Sequence, residues 1–187
     1  MVGVVASSFV LPGVLGSKPS SSFRATAAGV AQGAGLPAGG AVPTFAGTDL
    51  LTGKVISSAS VYDHKTLLFF SEGVSCQACL EQIQGLQQVG SEMAREGIEL
   101  VSITPDPPGT LRQAIAAYSI TTPVISDTDL SMSQAFNTLG QGMHAETPGH
   151  AFALVYHGKV LWYHDYWISN NTMYVQPSTL LAAFAKA

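Results

Sequence analysis

The chain has 187 residues, of which 47% are hydrophobic and only 11% charged, with a formal net charge of −4. That length supports one domain with a sizeable core, and the eight Lys and Arg are scattered rather than gathered into a basic patch, which excludes a nucleic-acid-binding surface. No run of about 18 apolar residues occurs, so a complete transmembrane helix is absent from the sequence.

Residues 1–16 are almost all apolar or small, with no charge and with Pro12 among them. A secretory signal would carry a basic start, which is missing. Residues 17–42 are rich in Ser, Ala and Gly, and Lys18 and Arg24 are their only charges. Such a stretch buries too little to order itself. Residues 1–41 are therefore expected to be a disordered N-terminal extension: a degenerate export signal or anchor remnant with a linker, or the end of a membrane helix that starts upstream. A plain cytoplasmic tail is the competing reading. The expected location is extracytoplasmic or membrane-tethered through this segment, with the cytoplasm as the alternative.

From residue 42 to 187 the pattern changes to alternating strands and helices. Residues 49–56 predict a turn followed by a short strand, and residues 65–70 (Lys-Thr-Leu-Leu-Phe-Phe) a buried strand. After Cys76, Leu80, Ile83, Leu86, Val89 and Met93 recur at helical spacing, with a bend or early end expected near Gly90. Residues 98–103 predict the next strand, which Pro105, Pro107 and Pro108 forbid from continuing. Thr110 and Gln113 fit a capping box for a helix reaching Tyr118. Residues 123–126 predict a short strand, Asp129 a cap for a helix around residues 132–136, and residues 137–150 a loop. Residues 151–156 and 160–164 form a hairpin turning at Gly158, and residues 180–185 a last helix. The fold class is α/β, with a central mixed β-sheet flanked by helices.

Cys76 and Cys79 are the only cysteines, and they sit where the first central strand gives way to a helix. A thiol there faces unpaired backbone N–H groups and the positive end of the helix dipole, which favour the thiolate. A second thiol three residues later lies on the same side, within reach of a disulfide. A purely structural bridge closes too short a loop to stabilise much. A zinc site would want four ligands, and only His144 and His150, far downstream, could add to the pair. Two inert buried thiols are the remaining alternative. Redox exchange is the reading that uses both the spacing and the position.

The order of elements, together with Val42-Pro43-Thr44-Phe45, Asp49-Leu50-Leu51-Thr52-Gly53-Lys54, the Cys76-Gln77-Ala78-Cys79 motif, residues 100–104 and Gly149-His150-Ala151-Phe152-Ala153-Leu154-Val155, resembles the thioredoxin-fold redox proteins. Within them it is similar to the peroxiredoxin-like (alkyl hydroperoxide reductase/thiol-specific antioxidant) family, and to a bacterial subgroup with Glu-Gly-x-x-Cys-x-x-Cys and a late Thr-Met-Tyr-Val, here residues 72–79 and 172–175. The resemblance implies a thioredoxin-like fold and a thiol–disulfide oxidoreductase or antioxidant function without a cofactor. It also implies a protein disulfide or peroxide as substrate and a thiol as electron donor.

Departures from the family pattern narrow this. The position of the peroxide-holding Thr is Gly73, that of the preceding Pro is Phe69, and that of the distant Arg is Gly149. Peroxide reduction is therefore not expected to rest on the family's usual donors. The fold's cis-proline facing the disulfide falls within one residue of Pro148, which joins Cys76 and Cys79 as a candidate site residue. In the mechanism so implied, Cys76 attacks a disulfide or a peroxide, and Cys79 resolves the mixed disulfide or sulfenic acid. Glu72 and Glu81 are read as a solvated acidic rim. His150 opens the late strand near the pair, where it could touch a cysteine or complete a copper or zinc site. The metallochaperone reading and a non-catalytic binding module remain as alternatives.

Overall fold

Strand β3 (Lys65–Phe70) buries every residue after Lys65, as a strand covered on both faces must. In the computed structural model, which describes residues 1, 3, 34–144 and 146–187, β3 is the middle of a five-stranded sheet of order β5-β4-β3-β6-β7. Its parallel neighbour is β4 (Ile98–Thr104), which is followed outward by β5 (Val124–Ser126), also parallel. On the other side β6 (Ala151–Tyr156) runs antiparallel to β3, and β7 (Lys159–Asp165) antiparallel to β6. The central mixed sheet flanked by helices is as the sequence predicts.

Alternation sorts the strands' side chains into two cores. Leu67, Phe69, Leu100, Phe152 and Leu154 face one side, with helix α1 (Gln77–Gln88), α2 (Gly90–Arg95), α3 (Pro108–Ala117) and α6 (Pro177–Phe184) contributing apolar residues to that cluster. Leu68, Phe70, Val101, Ile103 and Ala153 face the other side, where Met132 of α4 (Ser131–Ala135), Phe136 and Phe45 close the core. Burying side chains of this size stabilises by roughly 1.5–3 kcal/mol each. Trp162, Tyr166 and Trp167 pack on the first cluster and Tyr163 on the second, in keeping with an aromatic group that serves packing.

The predicted break near Gly90 is real: Val89 leaves helical geometry between α1 and α2. The hairpin between β6 and β7 turns at His157 and Gly158, with φ of 48° and 70°, the two positive values that a tight two-residue turn demands. Other boundaries differ from expectation. Helix α3 starts at Pro108, two residues ahead of Thr110, because proline's fixed φ suits the first helical position and its missing N–H is not needed there. Helix α4 takes its cap from Asp127 rather than Asp129 alone: Asp127 accepts from Met132 N at 3.0 Å and Ser133 N at 2.8 Å, while Asp129 accepts from Ser131 N at 3.0 Å. Two elements were not foreseen. They are β1 (Ala46–Thr48), which pairs with β2 (Val55–Ser57), and α5 (Tyr166–Asn170), capped by Asp165 through Ile168 N at 3.1 Å.

Both margins of the sheet are covered by earlier parts of the chain. Asp49 bridges to Ile125 of β5 and accepts from Val124 N at 3.2 Å. At the other margin Ala41 bridges to Lys159, and Gly39 and Gly40 exchange backbone hydrogen bonds with Val160. Residues 35–41 thus pack against the domain, with Leu36 reaching the second core. The rest of the expected disordered extension and membrane tether, from residue 4 to 33, lies outside the described residues. Among the described residues, no helix is long and apolar enough to cross a membrane.

Candidate active site

Strand β3 ends at Phe70, and five residues lead to Cys76, the N-cap of α1. That connection is held by Asp106, whose Oδ2 accepts Val74 N–H at 2.9 Å and Thr104 Oγ1–H at 3.2 Å. Gly73 makes the turn with φ of 87°, and a Cβ there would run into the Asp106 carboxylate, so both its conformation and its space require glycine.

Cys76 and Cys79 are joined in a disulfide with Cα atoms 5.3 Å apart. Cys76 Sγ also accepts the backbone N–H of Cys79 at 3.2 Å. Cys76 is 4% exposed and Cys79 only 1%, so both residues of the pair are buried. Ser75 and Gln77 on either side of Cys76 are exposed.

The sequence left open whether a histidine joins this pair, and His150 does. It is fully buried at the head of β6, with Nδ1 3.7 Å from Cys79 Sγ and Nε2 3.2 Å from Gln82 Oε1. Phe69 and Phe152 pack edge-on against its ring. Burial in this apolar setting drives its pKa down to about 3, so the imidazole is neutral at any ordinary pH. Gln82 is fully buried as well and holds both backbone groups of Val175. Sequence reading missed Gln82, although a glutamine one turn after Cys79 and one turn before Leu86, on the apolar face of α1, was the available signal.

Pro148 is buried two residues before His150, where it bridges to Leu139. The expected cis bond is not present, since no cis peptide bond occurs among the described residues. The trans isomer is the intrinsically favoured one, and it is compatible with the bridge to Leu139. His150 is the residue that this loop delivers to the disulfide. The acidic rim also needs correction. Glu81 is exposed and accepts from Gln77 Nε2 at 2.7 Å, but Glu72 is only 3% exposed. Its carboxylate accepts from His144 N at 3.2 Å and lies 3.5 Å from His144 Nδ1. It thus pins the loop before β6 rather than facing solvent, because unsatisfied backbone N–H groups in that loop need an acceptor. His144 itself keeps two thirds of its side chain exposed. Among the described residues, no three His, Cys, Asp or Glu side chains gather to hold a metal ion, so the geometry lends no support to the copper or zinc reading.

The Gly149 position, where the resemblance described above would place an arginine, is closed too. A Cβ there would meet the Asp165 carboxylate and the backbone of Gln141.

The profile of the AhpC/TSA family matches residues 38–162, most of the chain. The chain belongs to the AhpC/TSA family. Its backbone is similar to that of the peroxidoxin BcpB from Mycobacterium tuberculosis, with a TM-score of 0.68 and 19% identity over 81% of this chain and 97% of that one. It is likewise similar to Enterococcus faecalis AhpC (TM-score 0.70, 13% identity, 81% and 92% covered) and to Xanthomonas campestris peroxiredoxin Q (0.61, 14%, 77% and 89%). No curated protein is similar enough in sequence to match. Family and fold together make this AhpC/TSA protein a thioredoxin-fold, peroxiredoxin-like oxidoreductase.

Proposed function

We propose that this AhpC/TSA-family protein is a thiol–disulfide oxidoreductase in which Cys76 attacks and Cys79 resolves. The observation that carries the reading is the Cys76–Cys79 disulfide at the N-terminus of α1, with Cys76 as the cap. Once reduced, a Cys76 thiolate gains from the Cys79 N–H and from the helix dipole. It attacks a sulfur of a substrate disulfide, and Cys79 displaces the substrate from the mixed disulfide. A thiol donor then returns the pair to the dithiol.

Exchange with protein disulfides is favoured over peroxide reduction because the two positions that hold peroxide donors in the family are Gly73 and Gly149. Side chains at both would collide with neighbouring carboxylates. Without donors on the peroxide oxygens, the transition state for oxygen–oxygen cleavage loses its main stabilisation.

The test compares two assays on the same preparation. Reduction of insulin by dithiothreitol should be accelerated by the protein and not by Cys76→Ser, while consumption of hydrogen peroxide should remain near background. Rapid peroxide consumption dependent on Cys76 would overturn the preference for disulfides and leave the family's peroxidase chemistry as the function.

A further inference from the structure

The side-chain amide of Gln82 has one orientation open to it. Val175 N–H needs an acceptor and finds Gln82 Oε1 at 2.6 Å, while Val175 C=O needs a donor and finds Gln82 Nε2 at 3.1 Å. A flipped amide would set NH2 against N–H and oxygen against oxygen, inside the core. The atom 3.2 Å from His150 Nε2 is therefore the amide oxygen, which only accepts. The network thus assigns the imidazole's single hydrogen to Nε2. Nδ1 is left with a bare lone pair, and it is this atom that lies 3.7 Å from Cys79 Sγ.

Resting on the reading of Cys76 as nucleophile and Cys79 as resolving thiol, we propose that His150 is the proton acceptor for Cys79, and that Gln82 is the positioning residue that holds it in the accepting tautomer. Cys79 is enclosed, and a thiol in such surroundings resists ionising ahead of reaction. Its proton has to leave as the new bond forms. With Cys76 joined to a substrate sulfur, Cys79 S–H donates to Nδ1. As Cys79 Sγ bonds to Cys76 Sγ, the bond between Cys76 and the substrate sulfur breaks and its electron pair departs with that sulfur. The proton moves to Nδ1 and passes from there to the departing thiolate or to water. The protein dithiol is oxidised by two electrons and the substrate disulfide is reduced by two.

The surroundings disfavour a charged ring, so the proton does not rest on Nδ1 and is handed on as the substrate sulfur departs. Phe69 from β3 and Phe152 from β6 flank the ring. The titratable groups near it are Cys76 and Cys79 of α1, Asp165 opposite Ala151 in the β6–β7 ladder, and Tyr166, whose N–H donates to the His150 carbonyl. No charged neighbour contributes to the ring's lowered pKa, which burial alone produces.

The experiment mixes fully reduced protein with one equivalent of 5,5′-dithiobis(2-nitrobenzoate) and follows thionitrobenzoate release by stopped flow. The first release reports attack by Cys76 and the second reports resolution by Cys79. His150→Asn, which can accept a hydrogen bond but not a proton, and His150→Phe, which keeps the aromatic packing, should leave the first phase unchanged. The second phase should slow by roughly 100-fold and should rise about tenfold per pH unit, because Cys79 must then ionise beforehand. A second phase within twofold of wild type in both variants overturns the proposal, whereas loss of the first phase in the unaltered protein overturns the underlying reading of Cys76. A measurement that needs no variant is 15N NMR of the imidazole in the reduced wild-type protein. The proton is expected on Nε2 with Nδ1 bare, and the reverse tautomer overturns the proposal.

Discussion

Asp106, just beyond β4, accepts the backbone N–H of Val74 at 2.9 Å across 32 residues of chain. This one carboxylate fixes the path of the loop that presents Cys76. Asp106→Ala leaves the Val74 N–H and the Thr104 hydroxyl without this acceptor, and should lower stability by about 1–3 kcal/mol. Urea unfolding at neutral pH measures the change. Asp106→Asn, which retains an oxygen, should recover part of it.

Gly73 faces the same carboxylate, and the two positions should be coupled. Gly73→Ala imposes a left-handed φ on a residue with a Cβ and drives that atom toward Asp106, at a cost of roughly 1–3 kcal/mol. In an Asp106→Ala background the collision disappears and the cost should shrink. A double-mutant cycle by chemical denaturation reads the difference, and strictly additive effects would show that the crowding is not what demands glycine.

Cys79→Ser should arrest the reaction midway. Cys76 still attacks, but nothing displaces the substrate, so a stable mixed disulfide with a substrate protein accumulates and is visible by intact mass. Cys76→Ser should give no adduct under the same conditions.

Stability should depend on pH through His150. Its folded-state pKa lies near 3 against an ordinary value of 6.5, so the unfolded chain binds a proton first as pH falls. The stabilisation is complete above pH 6.5 and declines toward pH 3, with a slope approaching ~1.4 kcal/mol per unit. Asp165 works in the opposite sense. Burial raises its pKa, so its contribution is greatest in acid and is lost as pH rises through the raised value. Comparing wild type with His150→Phe across this range by urea unfolding isolates the histidine, and the variant's curve should be flatter. Equal slopes would mean that the ring is protonated within the fold.

How much of this was legible in the sequence depends on how local the cause was. The apolar run of β3, the three-and-four spacing from Leu80 to Met93 and the weak point at Gly90 are written in neighbouring residues, and the structure follows them. The cysteine pair at a strand-to-helix junction was equally plain. What was missed depends on partners distant in sequence. Glu72 could not be known to be buried until the loop around His144 folded over it. Gln82 has meaning only once Val175 and His150 arrive, and β1 only through its pairing with β2. Helix α5 was hidden because Asp165 serves at once as the last residue of β7 and as the cap of the next element.

The margins of the sheet have a further consequence. Strands at the flanks of a sheet invite other chains to dock edgewise, and growth of that kind ends in aggregates. Here the stretch from Gly39 to Asp49 reaches both flanks, so a modest length of polypeptide acts as a stop at each end. Proteolytic trimming ahead of β2 would remove both stops together while sparing the cysteines. A preparation nicked there should still carry a redox-competent pair, yet turn prone to precipitate.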